Sequence, residues 1–280
     1  MIKKILVALD PDTDTPIATR YAQNIAQRHG AEVTGLAVVD MGSIEASSRG
    51  GGIGSMYLME KVQKELTDEA RQIARSLTKQ FEEAMTGSGV SYRVEVAEGA
   101  PFERIVEDMK YQDLLIVGRD PHFFYSHPET ATKTLVRIVR ETIAPTLVVP
   151  SIYRAIKQVL ITYDGSTASA HAMRRFVHLQ PFGTDIHVEI LNVHSDKESE
   201  GSRLALEMAK GYLEAHGFQP HTSSLQGRNA TKEILDFARR FEADLLVAGA
   251  HSVSMWRKLA FGSTTASLLE ECPLPLFLHS

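Results

Sequence analysis

"KKILVALD" at residues 3–10 and "KQVLITYD" at residues 157–164 are two versions of one segment: basic start, apolar run, closing aspartate. The pattern continues downstream. "YQDLLIVG" at 111–118 returns as "EADLLVAG" at 242–249, and "APTLVVP" at 144–150 is answered by "LPLFLHS" at 274–280. Segments that recur in the same order indicate a tandem duplication, and internal repeats of this kind decide the fold before any local reading does. The junction falls near "PSIYRAI" at 150–156, which gives repeats of 1–150 and 156–280.

Within each repeat, short runs of Val, Ile and Leu alternate with stretches of helical periodicity. Ile17, Tyr21, Ala22, Ile25 and Ala26 share one helical face, as do Leu66, Ala70, Ile73, Leu77 and Phe81 in a longer helix. Apolar runs with no polar alternation are strands covered on both sides, the mark of a parallel sheet with helices on each face. The expected fold class is therefore α/β: two tandem doubly wound domains, each with a five-stranded parallel sheet. In such sheets ligands bind beyond the carboxyl ends of the strands, where strand order reverses. Asp164 and Gly249 both close predicted strands and are expected at that crevice. The last strand of each repeat is a sheet edge, and two edges in one chain can pair internally as a pseudo-dimer. Pro145, Pro150 and Pro275 limit the extent of that pairing.

Composition narrows the function classes. Hydrophobic residues at 43% and charged residues at 23% are the profile of a globular domain, and a net charge of −5 argues against a generally cationic surface for nucleic acid. No apolar run reaches the ~20 residues of a membrane span. The start of the chain reads as a strand rather than a secretory signal, so a cytoplasmic protein is expected. Cys272 is the one cysteine. It has no disulfide or zinc-cluster companions and reads as a small apolar residue near a helix end.

The chemistry concentrates in "GAHSVSMWRKLAFGSTT", residues 249–265. Gly249 and Gly262 bracket a twelve-residue stretch, and Gly262-Ser263-Thr264 opens a predicted helix. The first amides of a helix lack intrahelical partners and sit at the positive end of its dipole, so they favour anions. Ser263 adds a hydroxyl donor, and Arg257 and Lys258 add charge. Asp164 at the neighbouring strand end can accept hydrogen bonds from a base or sugar. His251 has two readings, a phosphate or ribose donor and a solvated loop histidine.

The repeats resemble universal stress protein domains, and the resemblance covers nearly the whole chain. Nucleotide-binding members of that family carry G-x2-G-x9-G-[ST] after the fourth strand and an aspartate after the first. Gly249, Ser252, Gly262 and Ser263 stand at that spacing, and Asp164 lies in a family-like "DGS". The resemblance implies ATP or a related adenine nucleotide in the second repeat. It would be held by Asp164, Val193, Gly249, His251, Ser252, Gly262, Ser263 and Thr264, with Mg²⁺ accompanying the phosphates. Val193 enters where the family holds adenine by main-chain groups. Ser252 departs from the family glycine, and its Cβ narrows the approach to phosphate. The expected role is a non-catalytic sensor or interaction protein, with a homodimer or another protein as further partner. The alternatives are a nucleotide-independent interaction module and a slow ATP-hydrolysing protein.

The first repeat reads differently. The same spacing counted from Gly118 meets Pro121, Ala131 and Thr132, with no glycine at the helix start, and "DPDTDT" puts carboxylates where "DGS" stands in the second repeat. Like charges there oppose a polyphosphate, so this repeat is expected not to bind nucleotide. "SSRGGGIGS" at 47–55 lacks the ending of a P-loop and reads as a loop. His122 and His127 in "PHFFYSHPET" lack a third metal ligand. No catalytic motif is present.

Overall fold

The apolar runs form the central strands. In the computed structural model β1 (Lys4–Leu9), β2 (Glu32–Asp40), β3 (Ser91–Gly99), β4 (Leu114–Gly118) and β5 (Thr146–Val149) belong to the first repeat. In the second repeat stand β6 (Gln158–Thr162), β7 (His187–His194), β8 (Pro220–Gln226), β9 (Leu245–Gly249) and β10 (Leu276–His279). The helices are α1 (Thr15–His29), α2 (Met56–Met85), α3 (Pro101–Asp108), α4 (Pro128–Glu141), α5 (Thr167–Leu179), α6 (Glu200–Ala215), α7 (Ala230–Arg240) and α8 (Ser263–Glu271). The structure describes residues 1–42, 44, 56–119, 128–195, 199–250 and 263–280, without the side chains of 56–59, 128–134 and 263. "SSRGGGIGS", His122, His127, Pro121, His251, Ser252, Arg257, Lys258 and Gly262 lie outside the described residues.

Two compact units result, residues 3–138 and residues 1–2 with 139–280. In the first, the strand order is β3-β2-β1-β4, with β1 parallel to both β2 and β4 and β2 parallel to β3. In the second, β8-β7-β6-β9-β10 follows the same order, again parallel throughout. Strand order reverses between β6 and β9, so the crevice expected of a doubly wound sheet opens at their carboxyl ends. The second unit also holds β5, paired antiparallel with β10 through Leu276↔Val148, Phe277↔Leu147 and Leu278↔Thr146. Pro145 and Pro150 bracket β5, and Pro275 precedes β10, which confines the pairing to that short stretch. The repeat ends near residue 150, whereas the compact unit begins at Val139. Sequence duplication follows descent, but compactness follows contacts, and β5 pairs with β10.

The cores are the runs read from the sequence. Ile5, Val7, Ile116 and Val117 are fully buried in the first unit, and Val159, Ile161, Leu245 and Phe277 in the second. Helix α1 ends on Gly30 at φ 61, whose amide bonds to Ala26 O; a left-handed residue there suits glycine. Cys272 is buried just past α8, in accord with its reading as a small apolar residue.

A repeated tie accounts for the aspartate in "QDLL" and "ADLL". Asp113 Oδ2 accepts from the amides of Lys3 (2.7 Å) and Lys4 (3.0 Å). Asp244 Oδ2 does the same for Lys157 and Gln158, both at 2.9 Å. Each carboxylate pins the start of the first strand of its repeat against the fourth. Charge-assisted bonds of this kind are worth about 1.5–3 kcal/mol. Asp244→Ala is expected to lower unfolding stability by about 2 kcal/mol, read by urea denaturation. A loss below ~0.5 kcal/mol would show that the tie is idle.

Candidate functional site

The crevice in the second unit is a cleft of about 290 Å³. Leu191 and Val193 from β7, Ile234 from α7 and Leu268 from α8 form its apolar wall, and Asp164, Ser166, Gly249, Thr264 and Thr265 bring polar groups to it. Asp164, Val193, Gly249 and Thr264, four of the residues singled out in the sequence, therefore line one cavity. Ser263 begins α8, whose first turn carries Thr264 and Thr265 to the cleft. The start of α8 therefore borders the cleft.

Asp164 is held by the segment that follows it. Gly165 takes φ 79, turning the chain so that Ser166 N donates to Asp164 Oδ1 at 2.9 Å. Ser169 Oγ donates to the same oxygen at 2.7 Å. Ser166 also caps α5, its Oγ accepting from Ser169 N at 3.2 Å. Partial shielding by the turn pushes the Asp164 carboxyl up, but the bonds from Ser166 and Ser169 outweigh it, and the net shift is below the usual carboxylate value. Asp164 is therefore ionised at neutral pH. Its Oδ2 accepts no hydrogen bond from the described residues.

Gly249 has a packing reason for being glycine. A Cβ built there would stand 2.6 Å from Ala168 C and Ser169 N and 2.7 Å from Ala168 O. The backbone at the start of α5 lies directly against the end of β9. Freedom to approach a ligand was the sequence argument for this glycine; what approaches on its Cβ side is a helix. Thr265 Oγ1 donates to Gly249 O at 2.9 Å and is buried, so α8 is also tied to that strand end. The sequence pointed to Ser263 and Thr264; Thr265, Ser166 and Ser169 went unnoticed. A serine directly before a helical stretch is an N-cap signal, from which Ser166 was readable.

The first repeat solves the same position another way. Asp14 stands where the second repeat has Ala168, and it is 5% exposed. A Cβ on Gly118 would lie 2.7 Å from Asp14 Cβ, and Asp14 Oδ2 accepts from Arg119 N at 2.9 Å. Asp10 and Asp40 are also buried at the ends of β1 and β2. A carboxylate thus fills the ground beside the β4 end and takes a main-chain amide for itself.

Comparison with known proteins agrees with this architecture. The sequence model of the universal stress protein family matches residues 1–150 and again 155–278. The chain belongs to the universal stress protein family. Universal stress protein Slr1230 of Synechocystis is 27% identical over 98% of this chain and 99% of its own. The crystal structure of a universal stress protein from Archaeoglobus fulgidus superposes with TM-score 0.70 at 16% identity, covering 99% of this chain and 96% of that one. A putative universal stress protein from Pseudomonas aeruginosa gives 0.62 at 17% identity, covering 99% and 93%. These structural likenesses establish the tandem fold. Among the described residues no helix is long and apolar enough to cross a membrane, and no group of three His, Cys, Asp or Glu side chains forms a metal site.

Proposed function

We propose that this universal stress protein binds ATP or a related adenine nucleotide in the cleft of its second repeat. It acts there as a non-catalytic sensor that presents the bound state to a protein partner. The observation that carries this reading is the convergence of an ionised carboxylate, an apolar wall and a helix start on one cleft. Asp164 Oδ2 accepts from ribose hydroxyls, and Val193 lies along the base. The start of α8, with Gly249, Ser263 and Thr264, faces the phosphates. Ser252 and Gly262 stand at the family spacing with Gly249 and Ser263, and His251 donates to a phosphate or ribose oxygen. Mg²⁺ accompanies the phosphates. The first repeat, with Asp14 beside Gly118, takes no nucleotide.

Native mass spectrometry of freshly purified protein and calorimetric titration with ATP test the reading. Asp164→Asn keeps an oxygen for Ser166 N but replaces the accepting carboxylate. It is expected to weaken ATP by about 10- to 100-fold, the value of hydrogen bonds to a charged group. Gly262→Asp, which brings a like charge toward the phosphates, is expected to abolish binding. A clean unliganded mass with millimolar ATP present would favour the nucleotide-independent interaction module instead.

A further inference from the structure

We propose that β3 is a self-complementary edge through which two copies of this chain pair, antiparallel, with the two-fold axis beside Val94. In the first unit the strand order ends on β3, and all nine of its residues are in register with β2 along one side only. Its other side presents main-chain donors and acceptors that no described strand takes up. Proteins usually blunt such an edge with proline, a bulge, a very short strand or charged side chains, and of these β3 carries only the charges. "SYRVEVAEG" has no proline and is nine residues long, whereas β8, the edge of the second unit, opens on Pro220. Val94 and Val96 are 36% and 46% exposed on this strand.

Charge chooses both the occupant and the register. A two-fold axis perpendicular to a continuous sheet keeps each side chain on its own face, so it must pass beside a residue rather than between two. Centred on Arg93 it sets arginine against arginine, and centred on Glu95 it sets glutamate against glutamate. Centred on Val94 it places Arg93 of each copy opposite Glu95 of the other, and Tyr92 opposite Val96. Opposite charges and aromatic–β-branched pairs are favourable cross-strand neighbours. Both charges are already held in place: Arg93 Nε donates to Thr34 Oγ1 at 2.9 Å, and Glu95 is bonded to Arg104. Tyr92 rests edge-on against Phe81, with ring centroids 6.1 Å apart. The pairing strand is thus presented in fixed form. One strand pair is a small interface, so the association is weak and concentration-dependent.

Sedimentation equilibrium of the full chain from ~1 to ~500 µM is expected to show a dimer, in the range of small transient interfaces. Val94→Lys, which opposes two like charges at the axis, raises the dissociation constant at least about tenfold with the melting temperature retained. Cross-linking tests the register independently. Opposed residues in an antiparallel pair have Cα atoms about 4.5–5.5 Å apart, within reach of a disulfide. Val94→Cys is therefore expected to cross-link under mild oxidation. Val96→Cys is not, because its two copies are offset by about 14 Å along the strands. Cys272 is buried and does not compete. A wild-type monomer throughout the range overturns the proposal. So does a dimer unaffected by Val94→Lys, or equal cross-linking at both cysteines.

Discussion

Gly249→Ala is expected to cost about 2–3 kcal/mol of unfolding stability, although it adds a single methyl group. The methyl would arrive 2.6 Å from the carbonyl carbon of Ala168 and from the amide of Ser169. Both are main-chain atoms in the first turn of α5, so no side chain can rotate out of the way. Either β9 or the start of α5 must move. If α5 moves, Ser166 and Ser169 lose their alignment with Asp164, and the cleft deforms together with the stability loss. Gly211→Ala in α6 is the matched control. A Cβ there meets nothing within 4 Å, and alanine is favoured over glycine in a helix by up to about 1 kcal/mol. Urea titrations of the two variants are expected to shift in opposite directions. A Gly249→Ala protein as stable as wild type would mean that the close approach of strand and helix is not required.

Acidification is expected to destabilise the second unit through His279. This residue sits on β10, only 9% exposed, and its Nδ1 is buried without a hydrogen-bond partner among the described residues. Burial disfavours the imidazolium, and Arg175 and His171 from α5 add repulsion; together they push its pKa from 6.5 down to about 4. In the unfolded chain the same group takes its proton near pH 6.5. Between these values the unfolded state binds more protons than the folded state, so stability falls as pH falls. The contribution is intact above about pH 6.5; the loss reaches about 2 kcal/mol at pH 5 and about 3 kcal/mol at pH 4. His279→Phe removes the titration. The difference in unfolding free energy between pH 7.5 and pH 5 is expected to shrink by about 2 kcal/mol in that variant. An unchanged difference would assign the acid sensitivity to other groups.

The recurrence of "KKILVALD" as "KQVLITYD" and of "YQDLLIVG" as "EADLLVAG" carried the fold. Apolar runs of strand length, separated by helical periodicity, permit only a covered parallel sheet, and each signal is local enough to read by eye. The pairing of β5 with β10 was legible as well, because each repeat had to end on an unpaired edge. Gly249 closes β9 as expected, and Asp164 falls just past β6, because the apolar runs mark where the strands stop. The aspartates in "QDLL" and "ADLL" showed only that they recur; their hold on the first-strand amides appears once the first and fourth strands lie side by side.

The sequence alone determined the duplication, the doubly wound class, and the strand ends that face the crevice, since these follow from periodicity and chain connectivity. The tertiary structure decided what stands beside those ends. Ala168 and Ser169 press on Gly249 in the second repeat, and Asp14 occupies the matching ground in the first. Those neighbours arrive from distant helices, and the distance at which a helix rests on a strand is set by packing over the whole layer.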